Sequence, residues 1–150
     1  MNTFLHTEKL MAWEDRVATI LLVEDEDFVR NVTREILRAA GYRVLAAGDS
    51  VAADRRYDEF GTEIDLLLTD MILPGENGAE LATRMREQNP GLKVLFVTGY
   101  ADQIAVLRNA GEEYLLKPFC KEALVRKVGE LMEEPRTREE ESFMRACVGA

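Results

Sequence analysis

The stretch LLLTDMILPGENG, Leu66–Gly78, ends a continuous apolar run on one carboxylate, Asp70, and then enters a segment of Pro, Gly and Asn. A near-continuous apolar strand is typical of a parallel sheet that is covered on both faces. Pro-Gly and Asn-Gly pairs end a strand and form a turn. The turn residues do not account for the carboxylate. The role of Asp70 therefore depends on which other groups reach the same edge of the sheet.

The rest of the chain repeats this alternation of strand and helix. Strands are predicted from apolar and β-branched runs at residues 17–23, 42–47, 64–70, 93–98 and 113–116. A helical pattern follows each strand; the second helix should run to about Gly61, the third should cover about 78–89 and the fourth about 101–110. Five consecutive βα units predict an α/β fold with a doubly wound, five-stranded parallel sheet and helices on both faces.

The spacing of apolar residues predicts which helix faces meet the sheet. Phe28, Val32 and Ile36 repeat every four residues, which predicts that they form the buried stripe of the first helix, and Leu37 and Ala40 widen that stripe. The corresponding stripe of the last helix is Leu124, Val128 and Leu131.

Helix ends are also readable in the sequence. Gly41 follows the first helix, where a residue with positive φ commonly ends a helix. Asp49 or Ser50 is suited to cap the N-terminus of the second helix, and Asn77 that of the third.

Composition restricts the class of protein. The 150 residues are 47% hydrophobic and 31% charged, which suits one globular domain. The chain has 19 basic and 28 acidic residues, and this net charge of -9 argues against a nucleic-acid surface. The longest apolar runs are strand-sized, so no membrane span is expected.

Both ends of the chain lie outside the strand and helix pattern. Residues 1–16 form an N-terminal extension that contains Trp13 and His6, and residues 134–150 form a charged C-terminal tail. Loose packing is the common behaviour of termini, and the alternative is docking on the domain or an oligomer contact. The tail is too short to fold as a DNA-binding domain, so no output module is expected.

Two cysteines, Cys120 and Cys147, are expected to be free thiols of a reducing compartment. The N-terminus has no basic leader followed by an apolar stretch, so the expected location is cytoplasmic. Cys120 lies near the start of the last helix, where its thiol would be somewhat acidified, but the preferred interpretation is a small core residue.

Five functional groups follow the predicted strands. Glu24 and Asp25 follow the first strand, Asp70 ends the third, Thr98 ends the fourth and Lys117 follows the fifth. Ligands of a doubly wound sheet bind at this carboxyl edge. Three adjacent carboxylates repel one another unless a cation neutralises them, and oxygen-only ligation suits Mg²⁺.

Lys117 and Thr98 add groups that contact phosphoryl oxygens, by charge and by hydrogen bond. Asp70 is therefore placed to become an aspartyl phosphate. Each residue alone also has a structural explanation, since Thr98 can simply end a strand and Lys117 can be a solvated charge. The convergence of all five groups at one edge favours the functional interpretation.

With these groups in place, the chain resembles the receiver domain of two-component response regulators. The resemblance covers about residues 17–133 and is carried by LLVEDED, LLLTDMILPGENG, VLFVTG and YLLKPF. It implies a flavodoxin-like (βα)5 fold with the strand order 2-1-3-4-5 that is found in chemotaxis receivers. The TGYA sequence at 98–101 is similar to that of receivers attached to hybrid histidine kinases.

The resemblance also implies a role for each group at the edge. Asp70 would be the phosphoacceptor, and Lys117 would hold the phosphoryl group. Asp25 would bind Mg²⁺ directly, Glu24 would help through water, and the backbone carbonyl of Ile72 would supply another ligand. The only reactions expected of the domain are its own phosphorylation and dephosphorylation, so it is not expected to be an enzyme.

A conformational switch is implied by the same resemblance. Thr98 would move onto the phosphate while Tyr114 moves between an outward and an inward position. The Lys117–Pro118 bond is expected to be cis. The segment between Thr98 and Lys117 is short for this family, so the fourth helix is expected to lose about one turn. Tyr114 also has a simpler explanation as a packed strand aromatic.

The implied partners are a histidine kinase or a histidine phosphotransfer protein, with a downstream effector protein as a further possibility. Neither nucleic acid nor membrane is expected as a partner, and the chain is expected to be a monomer or a weak homodimer. Ile72 and Tyr100 occupy positions that tune phosphate hydrolysis in this family. Two bulky, non-acidic side chains there predict slow self-dephosphorylation.

One alternative from another class is a Mg²⁺-dependent phosphohydrolase of the haloacid dehalogenase type. In it Asp25 would be the nucleophile, Asp27 the general acid and Lys117 the conserved lysine. The chain lacks a second acidic motif after Lys117 and has no room for a substrate-covering cap. A flavin-binding module and a receiver-shaped domain that signals without phosphate are further alternatives, and the complete acceptor site disfavours the latter.

Overall fold

The computed structural model describes residues 17–133, and its five parallel strands confirm the expected topology. The strands are β1 (Thr19–Val23), β2 (Arg43–Ala47), β3 (Leu66–Asp70), β4 (Lys93–Thr98) and β5 (Glu113–Leu116). They are hydrogen-bonded in the order β2-β1-β3-β4-β5. The N-terminal extension at 1–16 and the charged tail at 134–150, with Cys147, lie outside the described residues.

Helices cover both faces of this sheet. They are α1 (Asp27–Ala39), α2 (Ser50–Phe60), α3 (Gly78–Gln88), α4 (Ala101–Asn109) and α5 (Lys121–Glu133). Buried side chains of α1 and α5 pack in one core layer, and those of α2, α3 and α4 pack in the other. A small hairpin, Ile72–Leu73 with Glu76–Asn77, connects β3 to α3. Within residues 17–133 no helix combines the length and the apolar character needed to cross a bilayer.

Three strands begin one or two residues later than expected. The expected starts were 17, 42 and 64, and the observed first residues are Thr19, Arg43 and Leu66. The Asp65 carboxylate accepts a hydrogen bond from the Thr19 amide at 2.8 Å, and the Asp65 amide donates to the Thr19 carbonyl at 2.9 Å. These hydrogen bonds connect the N-terminal ends of β1 and β3, just before the first paired residues of the two strands.

The predicted buried stripe of α1 was wrong by one position. Phe28 is 78% exposed and Val32 is 42% exposed. Leu37, which was expected to widen the stripe, is buried together with Thr33, whereas Ala40 is exposed. The core therefore contacts the row of Thr33 and Leu37, one residue along from the predicted row. Ile36 is partly buried at the edge of the core.

Other local predictions are confirmed. The Asp49 side chain accepts from the Ala52 amide at 2.7 Å, and the Asn77 side chain accepts from the Glu80 amide at 2.8 Å. Gly41 has φ 102°, a conformation that suits glycine. The buried residues of α5 are Leu124, Val128 and Leu131.

Cys120 is not a core residue. It is a free cysteine and is exposed to solvent. It precedes the first residue of α5, and its carbonyl accepts a hydrogen bond from the Leu124 amide at 3.1 Å. The buried part of α5 begins one turn later, so the expectation of a small core side chain was wrong.

Gly78 is where α3 starts against the end of β3. Its amide donates to the Met71 carbonyl at 2.8 Å. A Cβ atom at this position would lie 2.1 Å from the carbonyl oxygen of Asp70. Backbone atoms cannot move aside as a flexible side chain can. A residue without Cβ therefore allows α3 to begin directly against Asp70.

We expect Gly78→Ala to destabilise the fold by about 1–3 kcal/mol, because the added methyl group overpacks the backbone of Asp70. Gly129→Ala is the matched control, since Gly129 lies inside α5 and a Cβ there meets nothing within 4 Å. That control should stabilise the protein by about 0.8–1 kcal/mol, through helix propensity alone. Urea denaturation of both variants measures the two effects. Equal changes in both variants would contradict the clash.

Arg84 connects three elements outside the core. Its guanidinium donates to Asp54 of α2 at 3.1 and 3.2 Å and to Glu76 of the hairpin at 2.7 and 3.1 Å. Hydrogen bonds from Arg84 lower the pKa of Glu76 against the opposing effect of burial. The two carboxylates raise the pKa of Arg84. This ion-pair cluster fastens the hairpin after β3 to the helices beside it.

We expect Glu76→Gln to lower the free energy of unfolding by about 1 kcal/mol at neutral pH. The folded-state pKa of Glu76 lies below its ordinary value of 4.5, so this stability is present above 4.5 and is lost as pH falls through the folded-state pKa. The difference from wild type should therefore shrink between about pH 5 and about pH 3 in urea titrations. Glu87→Gln, at an exposed position of α3, is the control. A difference that stays constant with pH would contradict the charge-based account.

Candidate functional site

The carboxyl edge of the sheet brings together the groups expected there. Glu24 directly follows β1, Asp70 ends β3, Thr98 ends β4 and Lys117 directly follows β5. The strand register pairs Asp70 with Val97 and Thr98 with Leu116, so the strand ends are level with one another. Four separate segments of the chain therefore place polar side chains at one edge.

The centre of the site is a three-membered charge cluster. The Lys117 Nζ atom lies 2.7 Å from Asp70 Oδ1 and 3.0 Å from Glu24 Oε2. Asp70 is 6% exposed and Glu24 is 4% exposed. Buried carboxylates need a partner of opposite charge, and Lys117 supplies it to both. The side chain of Lys117 remains 29% exposed, so this cation is reachable from solvent.

Three carboxylates of the site are arranged as a cation site requires. Glu24, Asp25 and Asp70 each offer one oxygen atom, and these atoms lie within 4.8 Å of one another. Asp25 is exposed while the other two are buried, so the cluster opens to solvent on one side. An oxygen-only donor set with an open side fits Mg²⁺, which keeps several waters in proteins.

A cleft of about 220 Å³ lies over these groups. Ile72 and Tyr100 stand at its rim, and they are 53% and 57% exposed. Its lining residues are Glu24, Asp25, Glu26, Asp70, Ile72, Val97, Thr98, Gly99, Tyr100 and Lys117. The cleft therefore has an acidic floor with one cation and two large apolar side chains at its mouth.

Arg30 is a residue of this region that sequence reasoning missed. Its Nη1 atom donates to the Glu24 carbonyl at 2.9 Å, and its Nη2 atom donates to Asp27 Oδ1 at 2.6 Å. It thereby connects α1 to the backbone of the acidic loop. The spacing of Asp27 and Arg30, three residues apart on a helix, was the available signal. Asp27, the general acid of the hydrolase alternative, has an 84% exposed side chain in this ion pair.

Thr98 and Tyr114 lie on neighbouring strands and on the same face. Phe96 pairs with Tyr114 in the register, and Thr98 is two residues after Phe96. The Thr98 hydroxyl donates to Gln103 Oε1 and accepts from the Tyr100 amide at 3.2 Å. The Tyr114 hydroxyl accepts from Arg108 at 3.0 and 3.2 Å.

Two further expectations concern the end of β5 and the length of α4. The Lys117–Pro118 peptide bond is cis, as expected. α4 has nine residues, Ala101–Asn109, against 13 each in α1 and α5.

Comparison with known proteins identifies the family. The family model of the response regulator receiver domain matches residues 20–129, which is well over half of the chain. The sensor kinase CckA of Brucella abortus is 37% identical over 121 residues, or 78% of this chain and 13% of the kinase. The response regulator receiver protein CpdR of the same organism is 35% identical over 119 residues, or 75% of this chain and 95% of that protein.

A solved structure gives the same result for the fold. The response regulator TrrA of Thermotoga maritima, in complex with Mg²⁺ and BeF, superposes with a TM-score of 0.68 at 28% identity. The match covers 77% of this chain and 99% of that one. The family match, the strand order and the carboxylates at the sheet edge all indicate the same family. Over residues 20–129, the chain belongs to the response regulator receiver domains of two-component systems.

Proposed function

We propose that Asp70 accepts a phosphoryl group from a histidine kinase or a histidine phosphotransfer protein, and that the modified domain then binds its partners differently. The observation that carries the proposal is the ion pair between Asp70 and Lys117, 2.7 Å long, at the floor of an open cleft. A nearly buried carboxylate beside an accessible ammonium group is suited to phosphoryl transfer, which depends mainly on positioning and charge neutralisation.

In the transfer step, an oxygen of Asp70 forms the new bond to phosphorus. The bond between phosphorus and the donor histidine nitrogen breaks, and its electron pair stays on that nitrogen, which is then protonated by solvent. Lys117 contacts Asp70 and Glu24 before transfer, and its ammonium group is close enough to follow a phosphoryl oxygen afterwards. Thr98, also at the floor of the cleft, supplies a hydroxyl donor.

The same proposal includes a Mg²⁺ site. Asp25 and Asp70 would hold the ion with the backbone carbonyl of Ile72, and Glu24 would hold it through water. The closely spaced carboxylate oxygens support this assignment, as does the Mg²⁺–BeF complex of the related TrrA. When bound, Mg²⁺ supplies positive charge that offsets the charge on the transferring phosphoryl oxygens.

Partner identity is proposed from chemistry and family. A phosphohistidine donor suits this acceptor, and similarity to a sensor kinase supports a kinase as the source, although the chain spans only 13% of that kinase. An effector protein that distinguishes the two states would be the downstream partner. A cytoplasmic location is part of the proposal, because an exposed free thiol at Cys120 suits a reducing compartment.

We expect incubation with acetyl phosphate and Mg²⁺ to add one phosphoryl group to the wild type and none to Asp70→Asn. Intact-mass spectrometry measures the addition directly. Removal of Mg²⁺ with a chelator should abolish labelling, because the carboxylates would then repel the incoming phosphoryl group. Asp58→Asn is the matched control, since Asp58 is an exposed carboxylate of α2.

The proposal fails if the wild type gains no phosphoryl group, or if Asp70→Asn gains one as readily as the wild type does. Release of phosphate without an adduct, lost in Asp25→Asn, would instead favour the hydrolase alternative. Loss of labelling in Asp58→Asn would show that the assay responds to any loss of acidic charge.

We expect the phosphorylated protein to lose its phosphoryl group slowly, over minutes or longer. Ile72 and Tyr100 place apolar surface at the mouth of the cleft, where the attacking water must enter. Replacement of Ile72 by Asn should speed the loss severalfold, and the same change at Val51, an exposed residue of α2, should not. The decay of the phosphorylated mass after removal of acetyl phosphate measures both rates. Complete loss within seconds in the wild type would contradict the prediction.

A further inference from the structure

The guanidinium of Arg30 lies between three segments near the carboxyl edge of the sheet. Its Nη1 atom donates to the Glu24 carbonyl at 2.9 Å, and its Nη2 atom donates to Asp27 Oδ1 at 2.6 Å. A Cβ atom at Gly48 would lie 3.1 Å from Nη1, so the turn after β2 packs directly against the guanidinium. The side chain of Arg30 is 19% exposed. These contacts hold it between the acidic loop (residues 24–26), the start of α1 and the turn after β2.

The contact with the Glu24 carbonyl bears on the position of Asp25. This carbonyl belongs to the peptide group that joins Glu24 to Asp25, and the Glu24 amide donates to the Ala47 carbonyl at 3.1 Å. The backbone of Glu24 is therefore held on both sides. Asp25 is exposed, and its carboxylate forms no hydrogen bond or ion pair with another residue of 17–133. Its place in the cation site therefore depends on the backbone that Arg30 restrains.

The contact with Asp27 keeps a further carboxylate on α1. The acidic run EDED at 24–27 offers four neighbouring carboxylates, and Asp27 is two residues after Asp25. In the Ca²⁺ loops of proteins, carboxylates at alternate positions bind one ion together. The Asp27 side chain is 84% exposed, and its ion pair with Arg30 holds Oδ1 on the helix side. Arg30 therefore limits the number of carboxylates that the acidic run presents to an ion.

Ligand number and rigidity distinguish Mg²⁺ sites from Ca²⁺ sites in proteins. Mg²⁺ requires a nearly octahedral set of oxygens and keeps several waters, whereas Ca²⁺ accepts about six to eight oxygens in flexible arrangements. We propose that Arg30 is a positioning residue that makes the cation site selective for Mg²⁺ over Ca²⁺, because it fixes the backbone before Asp25 and holds Asp27 aside. This inference rests on the proposed function, since it concerns the Mg²⁺ site of that proposal.

The charge of Arg30 acts in the opposite direction from its contacts. A cation beside the acidic loop repels any divalent ion, so charge alone predicts that a neutral residue at position 30 tightens Mg²⁺ and Ca²⁺ binding alike. Loss of the hydrogen bond to the Glu24 carbonyl should instead loosen Asp25 and weaken Mg²⁺ binding. Asp27 already offsets the charge of the guanidinium at 2.6 Å, and salt screens what remains. The positional effect should therefore dominate.

We expect Arg30→Met to bind Mg²⁺ roughly two- to tenfold more weakly than the wild type, the range for one hydrogen bond, and to bind Ca²⁺ at least as tightly. The ratio of Mg²⁺ to Ca²⁺ affinity should therefore fall. Nuclear magnetic resonance titrations of the full chain with MgCl₂ and with CaCl₂ measure both affinities from the shifts of the Asp25 and Asp70 amides. If Arg30→Met does not fold, Arg30→Ala removes the same donors and carries the same test.

Two further variants separate position from charge. Arg38→Met removes a positive charge from the last turn of the same helix, where the side chain is 53% exposed and pairs with Glu35. It should leave the ratio of Mg²⁺ to Ca²⁺ affinity unchanged. Arg30→Lys keeps the charge but replaces the guanidinium, which reaches two acceptors, by a single nitrogen. It should lower the ratio in the same direction as Arg30→Met, and wild-type affinities in this variant would overturn the inference.

Asp27→Asn tests the second contact. In the Arg30→Met background it should lower the Ca²⁺ affinity, because the released carboxylate is then absent, and change the Mg²⁺ affinity little. In the wild-type background, where Arg30 already holds Asp27, the same change should have a smaller effect on Ca²⁺ affinity. An equal effect on Ca²⁺ affinity in both backgrounds would overturn the role assigned to this contact.

The outcomes separate this inference from the proposed function. If the wild type shows no saturable Mg²⁺ shift at Asp25 and Asp70, the proposed cation site fails and the role of Arg30 fails with it. If the wild type binds Mg²⁺ but Arg30→Met binds it as tightly or more tightly, the role of Arg30 alone is overturned. An equal loss of Mg²⁺ and Ca²⁺ affinity also overturns it, because Arg30 then stabilises the fold without selecting the ion.

Discussion

The interaction on which the site depends is the contact of one ammonium group with two nearly buried carboxylates. Lys117 and Glu24 are 93 residues apart in sequence, and the parallel sheet brings their side chains to 3.0 Å from each other. Without Lys117, Asp70 and Glu24 would be buried negative charges with a like-charged neighbour, Asp25. Charge balance therefore couples the integrity of the fold to the chemistry of the cleft.

Several contacts of the surrounding structure lie beside this charge cluster. α3 starts against the backbone of Asp70, and Arg30 donates a hydrogen bond to the Glu24 carbonyl. The hairpin after β3 is fastened from outside by Arg84. Each contact restrains backbone beside a charged group, as expected of a site whose chemistry depends on positioning.

Strand ends and helix caps were predictable from the sequence, because they depend on local residue chemistry. The meeting of the strand ends was predictable because the carboxyl ends of parallel strands lie at one edge of the sheet. Asp70, Thr98 and Lys117 were placed at one edge on this basis, and they meet there. The buried face of α1 was not fully predictable, because the apolar residue Phe28 is exposed and the polar residue Thr33 is buried. Thr33 is buried by tertiary packing, and its propensity does not show this.

Contacts between side chains from different elements could also not be predicted from the sequence. Arg84 meets Asp54 across 30 residues, and nothing in the spacing of the two residues indicates their pairing. The contact of Thr98 with Gln103 spans five residues, but it depends on how α4 leaves the end of β4. Such contacts are set by the angles between packed elements. The acceptor site was therefore predictable, and the groups that restrain it were not.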